Sequence, residues 1–288
     1  MSNTCLEVLN QAVEKLRAKG IDRPRTNAEL LLGAVLNAKK IDLYLDRDRI
    51  LTPQQIEKFN QFIQERIAGK PLQYIIGSTE FFGLEFKLNE SVLIPRPETE
   101  ILVEIIIEHI KDFPQPKIID LGTGSGAIAI SLAKNLKSCF VLATDISPDA
   151  LKLAKKNAKK HKVDDQIDFL CGDMFEPLRN KDIEGKINCV VSNPPYVSKE
   201  EFEHLSPEIK DYEPIMALRT DEEGTFFHKK IIEGSLAFLE KGGILALEVG
   251  LGQATKVADL IRSQKEFENT EMKKDLGGIE RIVVTYRI

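Results

Sequence analysis

Apolar residues recur along this chain with two different periods, and the change of period divides it. Within residues 3–19, Leu6, Leu9, Val13 and Leu16 fall at helical spacing, and Gly20 stops the run. A second helix is predicted from Asn27 to Ala38. A third follows Thr52-Pro53, an N-cap with proline at the first helical position, and buries Ile56, Phe59, Ile63 and Ile67 before Gly69-Lys70-Pro71 ends it. Helices of this length with short joins predict a small helical bundle over residues 1–70. Between Gln73 and Leu93 the pattern becomes β-like, in Tyr74-Ile75-Ile76 and again from Phe81 to Leu88. Gly83 or Asn89 could turn it, so residues 71–95 are predicted to be a hairpin linker.

Residues 96–288 form the second predicted domain. Pro95-Arg96-Pro97 makes a stiff approach to a helix that has Glu98 and Glu100 in its first turn and runs to about Ile110. From Pro116 strands and helices alternate, the sign of a parallel sheet covered on both faces. The predicted strands are Ile118–Leu121, Phe140–Thr144, Gln166–Leu170, Ile187–Ser192 and Ile244–Val249. Helices are predicted after Gly126, after Ser147-Pro148-Asp149, from Thr225 to Lys241 with Gly242-Gly243 as its stop, and from Gln253 to Arg262. Phe267–Lys273 and Arg281–Tyr286 close the chain with no crossover helix between them, so they must pair antiparallel. The expected class is α/β, with a mostly parallel, Rossmann-like sheet of seven strands.

Composition narrows the function without choosing it. The chain has 288 residues, 42% hydrophobic and 30% charged, as an ordinary globular protein has. Its net charge is -5, with residues 1–80 slightly basic and the remainder acidic. That balance argues against a duplex-DNA enzyme, which needs a stripe of phosphate-neutralising cations, so no direct DNA binding is expected. The four cysteines show no C-x-x-C spacing and the four histidines no H-E-x-x-H spacing, so no metal is expected. The amino terminus has no basic region followed by an apolar core, and no apolar run reaches about 18–20 residues. The expectation is a cytoplasmic monomer without membrane contact.

The candidate chemistry sits at the carboxyl ends of the strands. Gly122-Thr123-Gly124-Ser125-Gly126 lets the backbone approach a ligand closely at the positive end of a helix dipole. Asp145 lies 23 positions after Gly122, where an acid can accept both hydroxyls of an adenosine ribose. In Gly172-Asp173-Met174-Phe175 the acid could accept from an adenine amine, and Met174 or Phe175 could cover the ring. Val190-Val191-Ser192 is a buried strand that runs into Asn193-Pro194-Pro195-Tyr196, where two prolines remove two donors and fix φ. The Asn193 amide and the Pro194 carbonyl offer acceptors beside the flat face of Tyr196, a geometry able to hold a planar NH2 group. A hydride-transfer enzyme would use the glycine loop and Asp145, but it does not call for this corner. S-adenosyl-L-methionine, with adenosine but no pyrophosphate, accounts for more of the pattern.

Glycine loop, Asp145 and Asn193-Pro194-Pro195-Tyr196 together look like a class I methyltransferase acting on a planar nitrogen. Further stretches narrow the likeness: Gln73-Tyr74-Ile75-Ile76-Gly77, Glu80-Phe81-Phe82-Gly83-Leu84, Ile94-Pro95-Arg96-Pro97-Glu98-Thr99-Glu100 and Asp211-Tyr212-Glu213-Pro214 resemble the HemK/PrmC family. The resemblance runs from about residue 70 to the end, and a helical N-terminal domain also belongs to that family. It implies methylation, by S-adenosyl-L-methionine, of the glutamine amide nitrogen in the Gly-Gly-Gln motif of peptide chain release factors. It further implies a catalytic role for Asn193, Pro194 and Tyr196, and substrate contacts from these residues, Pro195, Arg96 and Glu98. Cofactor contacts are implied for Gly122, Thr123, Gly124, Ser125, Gly126, Asp145, Asp173, Met174 and Asn193. The N-terminal bundle would recognise the protein substrate. Two departures stand out: Arg219-Thr220-Asp221-Glu222-Glu223-Gly224 is more charged than the family's turn, and Met174 stands where some members carry an aromatic. The alternative within enzymes is a nucleic-acid adenine N6-methyltransferase, because the same corner can hold an exocyclic amine.

Overall fold

A computed structural model describes residues 3–288; Met1 and Ser2, at the start of the predicted bundle, lie outside the described residues. The chain divides into two compact units, one of residues 3–78 with Pro207–Tyr212, the other of Thr79–Ser206 with Glu213–Ile288.

The first unit is helical: α1 (Cys5–Ala18), α2 (Pro24–Leu36), α3 (Lys40–Leu45), α4 (Pro53–Ile67) and α5 (Leu72–Ile76). Thr4 and Thr52 cap α1 and α4, their hydroxyls accepting from the backbone N–H groups of Glu7 and Gln55. The apolar stripes predicted from the spacing meet in one core, where Leu9, Leu16, Leu31, Leu32, Phe59 and Ile63 are buried. The buried Arg66 guanidinium donates to Asn27 Oδ1 at 2.8 Å and to the Lys70 carbonyl at 3.0 Å, and it pairs with Glu208 Oε2 at 2.9 Å. Glu208 belongs to the short helix α10 (Pro207–Lys210), a return of the chain to this unit that no sequence pattern announced.

Tyr74-Ile75-Ile76 is helix α5, contrary to the β-like reading. Three apolar residues in a row do not separate a buried helical turn from a strand; Pro71 before the run and Gly77 after it, at φ 82°, set the helix ends. The hairpin lies beyond it, as β1 (Ser78–Phe81) and β2 (Leu84–Lys87), joined by Phe82-Gly83 with φ of 50° and 70°. Positive φ at both central residues is the geometry that matches strand twist in a two-residue loop.

The second unit continues as α6 (Pro97–Ile110), β3 (Lys117–Leu121), α7 (Ala127–Asn135), β4 (Phe140–Asp145), α8 (Pro148–His161), β5 (Ile167–Cys171), β6 (Ile187–Ser192), α9 (Lys199–His204), α11 (Ile215–Leu218), α12 (Phe226–Phe238), β7 (Leu239–Glu248), α13 (Ala254–Arg262), β8 (Phe267–Lys274) and β9 (Glu280–Arg287). Seven strands form one sheet in the order β5-β4-β3-β6-β7-β9-β8. The first five are parallel, and the last two add antiparallel, as the missing crossover helix required.

Because side chains alternate across a strand, successive residues feed opposite layers. Ile118, Val141, Val191 and Ala246 pack with Leu102 and Ile106 of α6 and Ile130 of α7. Ile119, Leu142, Val190 and Leu245 pack on the other face with Ile231 of α12 and Val257 and Ile261 of α13. One boundary differs from expectation. Helix α12 ends at Phe238, and Gly242-Gly243 lies inside β7 instead of stopping a helix. The pairing explains it: Ile187 pairs with Leu239 and Cys189 with Ile244, so β7 bulges between these pairs and the glycines occupy the bulge.

The sheet reverses its winding between β3 and β6, which lie side by side with Leu121 paired to Ser192. Loops leaving those two carboxyl ends diverge and leave a crevice, the usual ligand position in an open α/β sheet.

Candidate active site

One side of that crevice is the glycine loop after β3. The Gly122 and Thr123 N–H groups both donate to the Thr144 carbonyl, at 2.9 and 3.0 Å, which folds the loop back against β4. Gly124 N donates to Asp145 Oδ2 at 2.8 Å and Ser147 N to Oδ1 at 2.9 Å, so Asp145 is held in one orientation at the strand tip. Burial pushes its carboxyl above the usual aspartate range, although the N–H groups of Ser147 and Gly124 oppose this. Gly122 and Gly124 have positive φ, and a Cβ built on either meets no atom within 4 Å. The other loop residues turn inward. Thr123 donates its hydroxyl to Asp120 Oδ2 at 2.6 Å, the Ser125 carbonyl accepts from Asn157 at 2.9 Å, and Gly126 packs against Ile130 and Ala154. Asp120 itself is fully buried, which pushes its carboxyl up to about 7.

A cavity of about 370 Å³ opens beside the loop. Gly122, Gly124, Asp145, Asp173, Met174, Asn193 and Pro195 line it, with Ser91–Leu93 and the segment Pro214–Ala217 forming further walls. Thr123, Ser125 and Gly126 do not line it; they shape the loop from behind. Asp173 also accepts from Lys230 Nζ at 3.1 Å. Phe175, one of the two candidates to cover an adenine, stacks instead on Phe238, 5.1 Å between ring centroids, and contributes to the core.

The corner after β6 forms the opposite side. Ser192 is tied to β3 by its hydroxyl, which donates to the Leu121 carbonyl at 2.7 Å. Pro194 is buried, whereas Asn193, Pro195 and Tyr196 are half-buried. Asn193 Nδ2 donates to Thr99 Oγ1 at 3.2 Å, and Thr99 in turn donates to Glu248 Oε2 at 2.6 Å. Tyr196 gives its hydroxyl proton to Glu248 Oε1 at 3.3 Å, while Gln253 Nε2 donates to the Tyr196 carbonyl at 2.9 Å. Tyr196 therefore faces a second, smaller cavity of about 160 Å³, shared with Arg96, Glu98, Glu248 and Arg281. Burial pushes the Glu248 carboxyl up to about 7, with Glu98 adding to the rise and Thr99, Tyr196 and Arg281 opposing it. Burial raises the Tyr196 hydroxyl as well.

Arg96 pairs with the buried Glu213 at 2.7 Å, and Glu213 immediately precedes the Pro214–Ala217 wall. Most of the predicted site residues thus fall into two groups, while Pro194 is buried and lines neither cavity. Gly122, Gly124, Asp145, Asp173, Met174, Asn193 and Pro195 surround the larger cavity, and Arg96, Glu98 and Tyr196 the smaller. Thr99, Glu248 and Glu213 join these groups; Thr99 and Glu213 stand in the motifs quoted above without an assigned role, and Glu248 in none. Glu248 did leave a signal in the sequence, as an acid at the end of the otherwise apolar strand that runs from Ile244 to Val249. Among the described residues no group of three His, Cys, Asp or Glu side chains could hold a metal ion, and no helix is long and apolar enough to cross a membrane.

A family model described as the PrmC N-terminal domain matches residues 7–77, and one described as the methyltransferase small domain matches residues 97–208. The release factor glutamine methyltransferase of Moorella thermoacetica is 38% identical over 99% of this chain and 99% of its own length. That of Thermodesulfovibrio yellowstonii is 40% identical over 89% of this chain and 90% of its own. In structure, the hMettl16 catalytic domain, solved with an RNA hairpin, superposes with a TM-score of 0.56 at 18% identity, covering 83% of this chain and 84% of that one, a likeness of fold alone. The sheet is accordingly the Rossmann-like one of class I S-adenosyl-L-methionine-dependent methyltransferases. The length and identity of these alignments place the chain in the release factor glutamine methyltransferase family.

Proposed function

We propose that this protein methylates the side-chain amide nitrogen of the glutamine in the Gly-Gly-Gln motif of a peptide chain release factor, using S-adenosyl-L-methionine, in the cytoplasm. The observation that carries the reading is that Asn193 and Asp145 line one cavity, so an amide-gripping corner and a ribose-binding acid share a single space. The relatives' name favours a glutamine amide over an adenine amine.

The cavity suits the cofactor on its own evidence. Its volume falls in the small-molecule range, and its glycines leave open the room that side chains would fill. The Gly122 and Gly124 backbone, the Asp145 carboxylate toward the ribose hydroxyls, Asp173 toward the adenine amine and Met174 against the ring would hold it. Thr123, Ser125 and Gly126 serve by fixing the loop. When bound, S-adenosyl-L-methionine supplies an electrophilic methyl on a sulfonium.

The protein's task is then to make a poor nucleophile attack. An amide nitrogen shares its lone pair with the carbonyl. Asn193 Oδ1 and the Pro194 carbonyl accept its two hydrogens, orient the nitrogen and stabilise the positive charge that develops on it. The Asn193 NH2 is already committed to Thr99, which leaves the amide's oxygen for the substrate. Tyr196, anchored through Glu248, packs at the glutamine plane with Pro195, and Arg96 and Glu98 border the approach. The N-terminal unit recognises the release factor, because a glycine-glycine-glutamine loop is too small to confer selectivity unaided. Incubation with labelled S-adenosyl-L-methionine and a release factor, followed by peptide mapping, tests the reading. Label belongs on the motif glutamine, whereas label on nucleic acid would instead support the adenine enzyme.

A further inference from the structure

We propose that Thr99 and Glu248 are positioning residues that decide which end of the Asn193 carboxamide meets the substrate. The proposal rests on the glutamine-methylating reading above and assigns a role to two side chains, Thr99 and Glu248, that appear there only as anchors.

Donors and acceptors along the chain of contacts fix the orientation of the carboxamide. An ionised carboxylate can only accept, so Glu248 takes the Thr99 hydroxyl proton across the 2.6 Å contact. Thr99 Oγ1 then has only lone pairs to offer its other neighbour. Asn193, 3.2 Å away, must answer with its NH2, and its Oδ1 is turned to the opposite side. No described residue donates to that oxygen, and Asn193 lines the larger cavity. A substrate NH2 entering there meets an acceptor. Were the carboxamide reversed, two NH2 groups would face each other and the grip would be lost. The chain Glu248–Thr99–Asn193 therefore transmits the charge of a buried acid to the polarity of the amide grip.

A protonated Glu248 permits the reverse arrangement without leaving any partner unsatisfied. The proton belongs on Oε2, where the short contact to Thr99 lies; Oε1 continues to accept from Tyr196 at 3.3 Å. Glu248 then donates to Thr99, Thr99 donates to Asn193 Oδ1, and the NH2 swings to the substrate side. The charged and titratable groups that face Glu248 among the described residues include Glu98 and Arg96 from the start of α6, Tyr196 after β6, Arg281 of β9, and His228 of α12, whose Nε2 donates to the Glu248 backbone carbonyl at 2.8 Å. Burial places the Glu248 transition near neutrality, at about 7. Turnover should accordingly fall below that pH, while cofactor affinity does not follow it.

The test measures kcat, KM and cofactor affinity from pH 6 to 8.5 for the wild type, Thr99→Val, Thr99→Ser and Glu248→Gln, with methylated glutamine quantified by mass spectrometry. Thr99→Val should lose on the order of 10–100-fold in kcat with cofactor affinity within about twofold, the size expected for one buried charge-assisted contact. Thr99→Ser, which keeps the hydroxyl, should recover to within about threefold. The wild type should show an acid limb approaching tenfold per pH unit, and Glu248→Gln should show none. A wild-type limb that persists in Glu248→Gln, or a Thr99→Val enzyme with unchanged kcat, overturns the proposal while the glutamine-methylating reading stands. A wild type that never labels the release factor glutamine overturns both.

Discussion

Two glycines two residues apart make opposite predictions, and the contrast isolates what the loop after β3 does. Gly124 has φ 55° and Gly126 φ 83°, so alanine at either enters a left-handed conformation at a cost of about 1–2 kcal/mol. Their surroundings differ. A Cβ on Gly124 meets nothing within 4 Å, and the residue lines the cavity. A Cβ on Gly126 lies 2.8 Å from Ile130 Cδ1, 3.2 Å from Ala154 Cβ and 3.5 Å from Ala154 Cα. The tip of Ile130 can rotate away, but Ala154 is part of α8 and cannot, so overpacking adds about 1–2 kcal/mol more. Gly126→Ala should therefore cost about 2–4 kcal/mol and Gly124→Ala about half of that. At about 2–4 °C per kcal/mol, thermal unfolding of the ligand-free protein separates them. Cofactor binding should rank them the other way. The methyl on Gly124 occupies room a ligand needs, and calorimetry with S-adenosyl-L-methionine should show a loss on the order of 10–100-fold. Gly126→Ala should bind within about threefold of the wild type at a temperature where it is folded. If Gly126→Ala proves the weaker binder, or if both variants bind normally, the loop is not the cofactor cradle.

Asp120 is fully buried with a folded-state pKa pushed up to about 7 from 3.8, so the folded protein holds its proton longer than the unfolded chain does. Stability of the ligand-free protein should fall as pH rises between those values, by on the order of 4 kcal/mol, and level off above; urea midpoints should show this slope, and Asp120→Asn should flatten it. Arg96→Met removes the guanidinium 2.7 Å from Glu213, and after discounting for the 29% exposure of the Arg96 side chain the expected loss is about 1–3 kcal/mol. Because Glu213 precedes the cavity wall, cofactor affinity should drop with it; a change confined to the KM for release factor would mean that Arg96 acts on substrate instead. Leu45 and Ile50 are 78% and 74% exposed on the N-terminal unit. Leu45→Glu should raise the KM for release factor several-fold and leave cofactor affinity unchanged, and equal effects on both would count against a recognition role there.

The second unit was legible in the sequence because its elements are governed by short-range rules. Buried parallel strands such as Ile187–Ser192 read as unbroken apolar runs, and proline or glycine marks where each one ends. The same rules misread two places. At Tyr74-Ile75-Ile76 the run was too short to carry a period, and at Leu239–Gly243 the glycines served a bulge set by pairing with β6. Candidate site residues on the two crevice loops could be listed because they sit in contiguous motifs. Their division between two cavities could not, since it depends on which way each side chain turns: Tyr196 and Arg96 turn toward Glu248 and Glu213, and Thr123 and Ser125 turn inward. The contact of Thr99 with Glu248 was not legible for a simpler reason. The two residues are separated by 149 positions, and only the pairing of α6 with the end of β7 brings them together.

Whether the corner after β6 grips a carboxamide and directs its nitrogen is decided by single-turnover methyl transfer to a release factor with Asn193→Ala. Loss of an acceptor at the reacting nitrogen should lower the rate on the order of 10²–10³-fold, while affinity for S-adenosyl-L-methionine, whose cavity Asn193 also lines, falls far less. Near-normal transfer by the variant, or equal loss of rate and cofactor affinity, would contradict such a grip.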